Sequence, residues 1–310
     1  MKKLDVVGIG LSALDIVIQL EKMPTWEVPV MMDQVRFDGG GPTGTGLCAA
    51  SCLGARAGFV GTAGNDWIAE RKLSSLVEKG VDISQVKRFA GPENQIIFCF
   101  VDSNSGERVF SGVKTFAMNG LELDDLDKEY ITSAEYLLME GFHPNVTLSA
   151  ASWMHEAGKK VMLDGGATNA EALDPYFQKL VSVTDVLICG SGFTEALTGL
   201  EDVQKAGNES LKFGPEITVV TEGAKGSYLF TQDEVFHTPV FPVDVVDTTG
   251  AGDTFHGAFI FGLLQGWDLR KISVFSTAAS AIECMTLGGR AGLPDFDQVD
   301  AFLKERGFSL

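Results

Sequence analysis

The sequence predicts a doubly wound α/β fold, with a mostly parallel sheet flanked by helices and a small antiparallel β-sheet beside it. Short apolar runs alternate with helical patterns over most of the 310 residues, which is typical of successive βα units. A β-hairpin with a turn at 103–106 interrupts this alternation between residues 95 and 116. Near the carboxyl end, a β-branched run leads through Gly-Ala-Gly into a helical pattern. Together these patterns indicate an α/β core that has a β-sheet lid.

The individual elements follow from the spacing of apolar residues and from the Gly and Pro residues at their boundaries. Core strands are predicted at residues 4–9, 57–60, 136–139, 160–163, 186–189, 217–221, 227–230 and 240–246. Helices are predicted at residues 47–53, 67–79, 146–157, 176–181, 194–197, 257–265 and 272–285. Strands at 14–20 and 31–37 join the hairpin in the small sheet. We therefore expect a core of residues 1–12, 39–88 and 118–310, and a lid of residues 13–38 and 89–117.

The composition excludes several classes of partner. The net charge is −18, and hydrophobic residues make up 45% of the chain. Such an acidic chain is unsuited to nucleic acid or anionic membranes, and no apolar window reaches the roughly 18 residues of a membrane span. The first apolar run is broken by Asp5, Gly8 and Gly10 and lacks a cleavage site, so it predicts a strand instead of a signal peptide. Five scattered cysteines suit a reducing compartment, and we expect a cytoplasmic location.

The turn at 247–253, Asp-Thr-Thr-Gly-Ala-Gly-Asp, predicts an anion site. A strand that leads through a small-residue turn into a helix leaves backbone N–H groups unpaired at the positive end of the helix dipole. Asp253 at the edge of this site has the wrong charge for simple anion binding, whereas it suits a base that takes a proton from a nucleophile. The alternative is an ordinary Gly-rich turn in which Asp253 caps the helix.

A second Gly-rich stretch, residues 38–46, also precedes a helix and brings the backbone close to a small group, either a phosphate or a hydroxyl. Doubly wound folds bind ligands at the carboxyl ends of their strands. The predicted strand ends are rich in acids and Gly, namely Asp15, 39–41, 140–143, Asp164, 221–223 and Asp253. The four His lack zinc-ligand spacing, no Gly-x-Ser-x-Gly elbow occurs, and the first turn is not a dinucleotide fingerprint. Hydrolase, metalloenzyme and oxidoreductase interpretations are therefore disfavoured.

With both Gly-rich stretches considered, the chain resembles the PfkB family of carbohydrate kinases, which has the ribokinase-like fold, over nearly its whole length. The most specific motif is Asp247-Thr-Thr-Gly-Ala-Gly-Asp-Thr-Phe-x-Gly-Ala258. Weaker matches follow in the family's order at 40–41, 61–66, 106–108, 197–199, 221–223 and 288–294. The strings at 39–44, 163–165 and 288–294 also resemble the branch that contains sulfofructose kinase.

The resemblance implies an ATP-dependent kinase that phosphorylates a hydroxyl of a small sugar of ketose or pentose type. Asp253 would be the base, and the N–H groups of Gly250, Ala251 and Gly252 would form the anion hole for the transferring phosphoryl group. The implied sugar contacts are Asp15, Gly40, Gly41, Thr45, Phe98, His143, Asp164 and Asp253. The implied nucleotide contacts are Thr221, Gly223, Gly252 and Ser276.

The resemblance also implies ATP with Mg²⁺, and K⁺ as a further cofactor. The family's monovalent-cation site is matched by Asp247, Thr249 and Gly288. The Asn-x-x-Glu that organises Mg²⁺ in the family falls on Gly190 and Phe193 here. That leaves Glu195 as the candidate that binds Mg²⁺ through water.

Alternatives to this substrate and activity stay open. The acceptor could be a nucleoside or an acidic sugar such as a sulfosugar, for which the candidate cations are Arg36, Arg108 and Lys114. The missing Asn-x-x-Glu instead favours a non-catalytic sugar or nucleoside sensor, although a pure binder has no need of Asp253. The expected partners are a small sugar and ATP, without nucleic acid or membrane. The exposed hairpin edge predicts a homodimer through the lid.

Overall fold

A nine-stranded sheet forms the centre of the structure, a computed structural model that describes residues 3–309. Its strands are β1 (Val6–Ile9), β4 (Ala57–Ala63), β5 (Asp82–Arg88), β8 (Tyr136–Met139), β9 (Lys160–Asp164), β10 (Val186–Gly190), β11 (Ile217–Thr221), β12 (Ser227–Phe230) and β13 (Val235–Thr238). The order across the sheet is β13-β12-β11-β10-β9-β8-β1-β4-β5. The pairs from β11 to β5 are parallel, and β12 and β13 add antiparallel pairs at one edge. The predicted doubly wound, mostly parallel sheet is therefore confirmed.

A second sheet has four strands and includes the predicted hairpin. Its strands are β2 (Ala13–Leu20), β3 (Gln34–Gly40), β6 (Ile96–Asp102) and β7 (Arg108–Gly112), in the order β3-β2-β6-β7. The outer pairs are antiparallel, whereas the central pair of β2 and β6 is parallel. The long connection between β2 and β6, which contains β3, β4 and β5, makes this parallel pairing feasible.

Helices cover both faces of the large sheet. One layer contains α1 (Pro42–Cys52), α2 (Trp67–Val77), α8 (Ala251–Leu264), α9 (Leu269–Glu283) and α10 (Phe296–Glu305). The other layer contains α3 (Lys128–Thr132), α4 (Pro144–Glu156), α5 (Pro175–Ser182), α6 (Phe193–Thr198) and α7 (Val203–Ser210). Every residue of β1 is buried because each layer has its own apolar core against the sheet. Within residues 3–309, no helix combines the length and apolar character needed to cross a membrane.

The order of the strands reverses at β1, with β4 on one side and β8 on the other. In such sheets a ligand crevice opens outside the carboxyl ends of the two strands at the reversal. Here the segments that follow β1 and β8 are joined directly, since the N–H of Leu11 donates to Glu140 Oε1 at 2.5 Å. The first turn of α1 closes the same region, where the Gly44 N–H donates to the Leu11 carbonyl at 3.0 Å.

Some predicted boundaries differ from the structure. The predicted strand over 240–246 is wrong, since this segment has no regular secondary structure and β13 pairs with β12 instead. Pro239 and Pro242 lack the N–H groups that a strand ladder needs, which explains the difference. Helix α1 begins at Pro42 instead of Leu47, because proline is favourable in a first turn. The sequence patterns also missed β5, β13, α3, α7 and α10.

Candidate active site

The amino end of α8 offers backbone N–H groups to an open space. No side chain caps this helix, and its N-cap residue Gly250 has the left-handed conformation with φ 82°. A Cβ at Gly250 would lie 2.5 Å from the Gly289 carbonyl oxygen, so only glycine fits. A Cβ at Gly252 would meet no atom within 4 Å, so the space in front of the first turn is free. This helix end can therefore accept an anionic group.

Asp253 lies in the first turn of α8, beside these N–H groups. Burial raises the pKa of Asp253 to about 6, with the Asp164 carboxylate adding to the rise and with His256, Arg108 and Arg290 opposing it. A carboxyl group with such a pKa is mostly ionised at pH 7 and is still basic enough to accept a proton from a hydroxyl. The position and the pKa of Asp253 both suit a general base.

His256 connects this turn to the ends of β9 and β10. Its Nδ1 lies 2.7 Å from the Gly252 carbonyl oxygen, and its Nε2 lies 3.2 Å from the Ile188 carbonyl oxygen and 3.5 Å from Asp164 Oδ1. Asp164 Oδ1 also accepts the N–H of Gly166 at 2.8 Å. These contacts fix the direction of the first turn of α8. Asp164 Oδ1 takes part in two of these contacts. The binding of a sugar by Asp164 stays a prediction.

Asp15 is a buried carboxyl group on β2, 4% exposed. Its Oδ1 has no hydrogen-bond partner among the described residues. A Cβ at Gly40 would lie 2.1 Å from Asp15 Oδ2, so glycine is required for this close approach. Burial raises the pKa of Asp15 to about 7, with Arg290 opposing the rise and Asp38 adding to it. A buried acceptor without a protein partner suits the hydroxyl of a ligand.

Arg290 is a buried guanidinium, 1% exposed, that sequence reasoning placed in a motif without giving it a role. Its Nη2 donates to the Gly40 carbonyl at 2.6 Å and to Ser12 Oγ at 3.1 Å. Its Nη1 donates to Ser75 Oγ at 2.7 Å, and its Nε donates to Thr45 Oγ1 at 3.2 Å. Arg290 therefore joins the Gly-rich loop to α1 and α2. Thr45 faces this guanidinium, and its predicted sugar contact stays a prediction.

The three residues predicted to bind a monovalent cation lie together. Asp247 is fully buried, and it accepts the Thr249 N–H at Oδ1, 2.8 Å away, and the Gly288 N–H at Oδ2, 2.9 Å away. Both carboxylate oxygens are therefore used to join the turn before α8 to the loop after α9. The binding of K⁺ here stays a prediction.

The hairpin of β6 and β7 contacts the turn before α8 directly. Cys99 Sγ lies 3.2 Å from Thr249 Oγ1, and Arg108 Nη1 donates to Thr248 Oγ1 at 2.5 Å. In addition, a Cβ at Gly106 would lie 3.0 Å from a methyl carbon of Val245. The small sheet therefore lies over the anion site and brings the cation of Arg108 to its edge.

Glu195 is the residue that the sequence predicts to bind Mg²⁺ through water. Glu195 lies in the first turn of α6, where its Oε2 accepts the hydroxyl of Thr194 at 3.0 Å. Phe193, which stands at the family's Glu position, is a core residue with 1% exposure. Among residues 3–309, no group of three or more His, Cys, Asp or Glu could hold a metal ion. The binding of Mg²⁺ through water by Glu195 stays a prediction.

The predicted nucleotide contacts lie on β11, in the turn after it, and on α8 and α9. Thr221 ends β11, and Gly223 follows it in a short turn with φ 54°. Ser276 is completely buried in the middle of α9, and its predicted nucleotide contact stays a prediction. Helical periodicity turns position 276 toward the core. Ser280, one turn later, instead donates to the Ala251 carbonyl at 2.8 Å and reaches the start of α8.

Phe98, a predicted sugar contact, lies on the opposite face of the small sheet from Asp15. Phe98 pairs with Ile16 in the small sheet, whereas Ile97 pairs with Asp15. Because side chains alternate along a strand, Ile97 shares the face of Asp15 and Phe98 lies on the opposite face, where it is 37% exposed. The contact of Phe98 with a sugar stays a prediction.

His143 is a buried, neutral side chain at the start of α4. It is 1% exposed, and its Nδ1 accepts the Leu121 N–H at 3.3 Å. Burial lowers the pKa of His143 to about 4. Its Nε2 has no hydrogen-bond partner among residues 3–309, so the predicted sugar contact stays a prediction.

Glu140 is the residue that sequence reasoning listed at a strand end without a role. Its Oε1 accepts the Leu11 N–H, and its Oε2 has no partner among the described residues. Thr43 Oγ1 also lacks a partner in this part of the chain. A Cβ at Gly10 would lie 2.0 Å from Glu140 Oε2 and 2.3 Å from Thr43 Oγ1, so only glycine leaves room for these two oxygens. The signal in the sequence is an acid directly after an apolar strand.

The site has a carboxylate that can accept a proton, beside an anion site at a helix end. It lies at the strand ends of a doubly wound sheet, with a smaller sheet over them. This arrangement defines a sugar kinase of the ribokinase-like class. A family model described as pfkB family carbohydrate kinase matches residues 1–295. The chain therefore belongs to the PfkB family of carbohydrate kinases, and the predicted resemblance is confirmed.

Named relatives and solved structures agree with this assignment. The chain is 27% identical to the 5-dehydro-2-deoxygluconokinase of Shouchella clausii, with 98% of this chain and 97% of the relative covered. It is also 27% identical to the ATP-dependent ribose-1-phosphate kinase of Halopiger xanaduensis, with coverage of 97% and 98%. The structure of Arabidopsis thaliana ribokinase complexed with ribose and ATP matches with a TM-score of 0.82 and 25% identity, covering 97% of this chain and 99% of that one. The protein is accordingly a phosphotransferase with an alcohol group as acceptor, which disfavours the sensor alternative.

Proposed function

We propose that this kinase transfers the γ-phosphoryl group of ATP to a hydroxyl of a small, uncharged sugar of ketose or pentose type. The observation that supports this most directly is Asp253, a carboxyl group with a raised pKa beside the uncapped amino end of α8. The complex of the Arabidopsis ribokinase with ribose and ATP supports the choice of nucleotide.

In the proposed reaction, Asp253 accepts the proton of the sugar hydroxyl as its oxygen attacks the γ-phosphorus. A new O–P bond forms, the bond to the β-phosphate oxygen breaks, and ADP leaves. The backbone N–H groups of Gly250, Ala251 and Gly252 stabilise the charge on the transferring phosphoryl group. Arg108, which the small sheet holds against Thr248 at the edge of this site, is the adjacent cation.

The charges around the acceptor site favour an uncharged sugar. Asp15, Asp164 and Asp253 are carboxyl groups near the strand ends. The guanidinium of Arg290 already donates to several protein oxygens and does not offer a free charge to an anion. Hydroxyl groups, which both donate and accept, match such a site better than a carboxylate or a sulfonate.

The small sheet is proposed to act as a lid over the acceptor. Cys99 and Arg108 on this sheet contact Thr249 and Thr248 of the turn before α8. A lid in this position excludes water from the γ-phosphoryl group and so prevents hydrolysis of ATP.

The experiment is an ADP-release assay with ATP over D-ribose, D-fructose, D-ribose-1-phosphate, 5-dehydro-2-deoxygluconate and adenosine. We expect turnover with an uncharged sugar. Asp253→Asn should lower kcat by at least about 100-fold with little change in the KM of that sugar. Asp244→Asn, at an exposed acid shortly before the turn, is the matched control and should leave kcat unchanged. A loss confined to KM would contradict the base, and turnover only with an anionic acceptor would contradict the substrate class.

A further inference from the structure

His256 is a buried side chain of α8 whose two ring nitrogens both face carbonyl oxygens. Its exposed fraction is 5%. Nδ1 lies 2.7 Å from the Gly252 carbonyl oxygen, and Nε2 lies 3.2 Å from the Ile188 carbonyl oxygen, each in hydrogen-bond geometry. Asp164 Oδ1 lies 3.5 Å from the same Nε2. The ring is therefore held by two carbonyl oxygens and one carboxylate oxygen.

This arrangement decides how many protons the ring carries. A carbonyl oxygen can only accept a hydrogen bond, so each ring nitrogen of His256 needs a proton to make its bond. A neutral imidazole carries one proton, and its other nitrogen would direct a lone pair at a carbonyl oxygen. The imidazolium has N–H groups on both nitrogens, and the Asp164 carboxylate offsets its buried charge. The hydrogen-bond geometry therefore favours the doubly protonated ring.

The groups around this ring are mostly acids. Asp164 ends β9, and Asp253 lies three residues before His256, which places Asp253 and His256 side by side on α8. Helix α1 presents Gly46 here, where a Cβ would lie 3.9 Å from the Cβ of His256. The other acid groups on the elements around α8 have a pKa that burial raises well above its ordinary value, namely Glu140 after β8, Cys189 of β10 and Glu283 of α9. Among these groups, His256 is the one that carries a positive charge.

The charge of His256 acts on the proposed base. Burial raises the pKa of Asp253 to about 6, and the Asp164 carboxylate adds to this rise. The cations that oppose the rise are His256, Arg108 and Arg290. Of these three, His256 is the one on the same helix as Asp253. Because charges interact strongly away from water, a cation in this position keeps the base ionised near neutral pH.

On the basis of the proposed sugar-kinase function, we propose that His256 is a positioning residue that stays doubly protonated during turnover and supports the ionised form of Asp253. Its two N–H groups join the first turn of α8 to β10, and its charge holds the Asp164 carboxylate beside it. The imidazolium transfers no proton in this role, because both N–H groups are bound to carbonyl oxygens.

The first test compares pH profiles of kcat/KM in the ADP-release assay with D-ribose and D-fructose. Glutamine in His256→Gln keeps an amide donor but carries no charge. We expect the acid limb of this variant to lie at least about half a pH unit above that of the wild type, because Asp253 loses a neighbouring cation. His155→Gln is the matched control, since His155 lies 2.9 Å from Asp185 in a similar pair, just before β10 and so at the opposite edge of the sheet. Its acid limb should coincide with that of the wild type.

Long-range proton–nitrogen NMR spectra of the wild type with isotope-labelled histidine provide a second measurement that needs no turnover. An ordinary histidine is mostly neutral at about pH 8. At this pH we expect protons on both ring nitrogens of His256, whose signals are identified by their loss in His256→Gln. A singly protonated ring would overturn the proposed charge.

The kinetic outcomes are equally distinct. An acid limb that does not move in His256→Gln, or a fall in kcat/KM by the same factor at every pH, would overturn the action of His256 on Asp253. If the wild type phosphorylates neither sugar, the proposed function fails separately, and the nitrogen signals still decide the charge of His256.

Discussion

Arg290 Nη2 lies 2.6 Å from the carbonyl oxygen of Gly40, and this bond anchors the Gly-rich loop near the amino end to a residue near the carboxyl end. The backbone N–H of Arg290 also donates to Asp38 Oδ2 at 3.1 Å. The guanidinium charge opposes the rise in the pKa of Asp15. The buried side chain of Arg290 therefore holds the proposed sugar site in shape and also favours the ionised form of Asp15, its main acceptor.

We expect Arg290→Met to destabilise the protein by about 3–5 kcal/mol, because it leaves Gly40 without a donor and nearby carboxylates without a cation. Arg290→Lys keeps the charge but loses the planar arrangement of donors, and it should raise the sugar KM at least about tenfold. Urea unfolding and steady-state kinetics measure the two effects. Arg36→Lys is the control, because Arg36 is exposed and makes a single long hydrogen bond of 3.4 Å to the Leu287 carbonyl. Equal effects at both positions would contradict the anchoring role.

The sequence was sufficient for features that depend on local pattern. The apolar run of β1 and the hairpin turn after β6 follow from spacing, and Asp253 lies within a contiguous motif. Arg290 could not be given a role because the side chains and carbonyl that it contacts lie 215 to 278 residues away in the sequence. The face on which Phe98 lies could not be predicted, because it depends on the register of β6 with β2. Long-range pairing therefore sets the limit of what local patterns could predict here.

The activity should fall in acid because the base must be ionised. Burial raises the pKa of Asp253 to about 6. We therefore expect kcat/KM to decrease as the pH falls through about 6, and to approach a plateau above it. A pH profile between about 5 and 9 with a saturating concentration of ATP measures this. A profile without an acid limb near pH 6 would show that proton transfer to Asp253 does not limit the reaction.

Asp15→Asn should weaken sugar binding and raise the stability of the protein at pH 8. The folded-state pKa of Asp15 is raised to about 7, so the stability associated with its neutral form is present below its unfolded pKa and is lost as the pH rises through about 7. Because asparagine does not ionise, the variant keeps its stability as the pH rises. We expect it to be more stable than the wild type by roughly 2–4 kcal/mol at pH 8 and nearly equal in stability at pH 4. Its sugar KM should rise, because the amide no longer accepts at both atoms. Thermal unfolding at the two pH values measures the difference, and equal shifts at both would contradict the ionisation argument.

The buried ion pair between Lys72 and Glu93 should contribute strongly to stability. The two charged atoms lie 2.6 Å apart, and both side chains are 0% exposed. Lys72→Met leaves the carboxylate of Glu93 buried without its cation, and we expect a loss of about 3–5 kcal/mol in the free energy of unfolding. Arg71→Met is the control, since its pair with Glu78 is exposed and should be worth less than about 1 kcal/mol. Urea titrations of both variants at pH 7 give the comparison, and similar losses in the two would refute the assignment.

The outer face of the small sheet should form a homodimer interface. Strand alternation places Phe37, Phe98 and Val109 on this face, and they are 47%, 37% and 54% exposed. Contiguous exposed apolar surface of this kind is typical of subunit contacts. We expect the wild type to sediment as a dimer at micromolar concentration and Phe98→Ser combined with Val109→Ser to sediment as a monomer. Phe213→Ser, at an exposed Phe outside this sheet, is the control and should leave the dimer intact. A monomeric wild type, or a dimer that survives the double substitution, would contradict this interface.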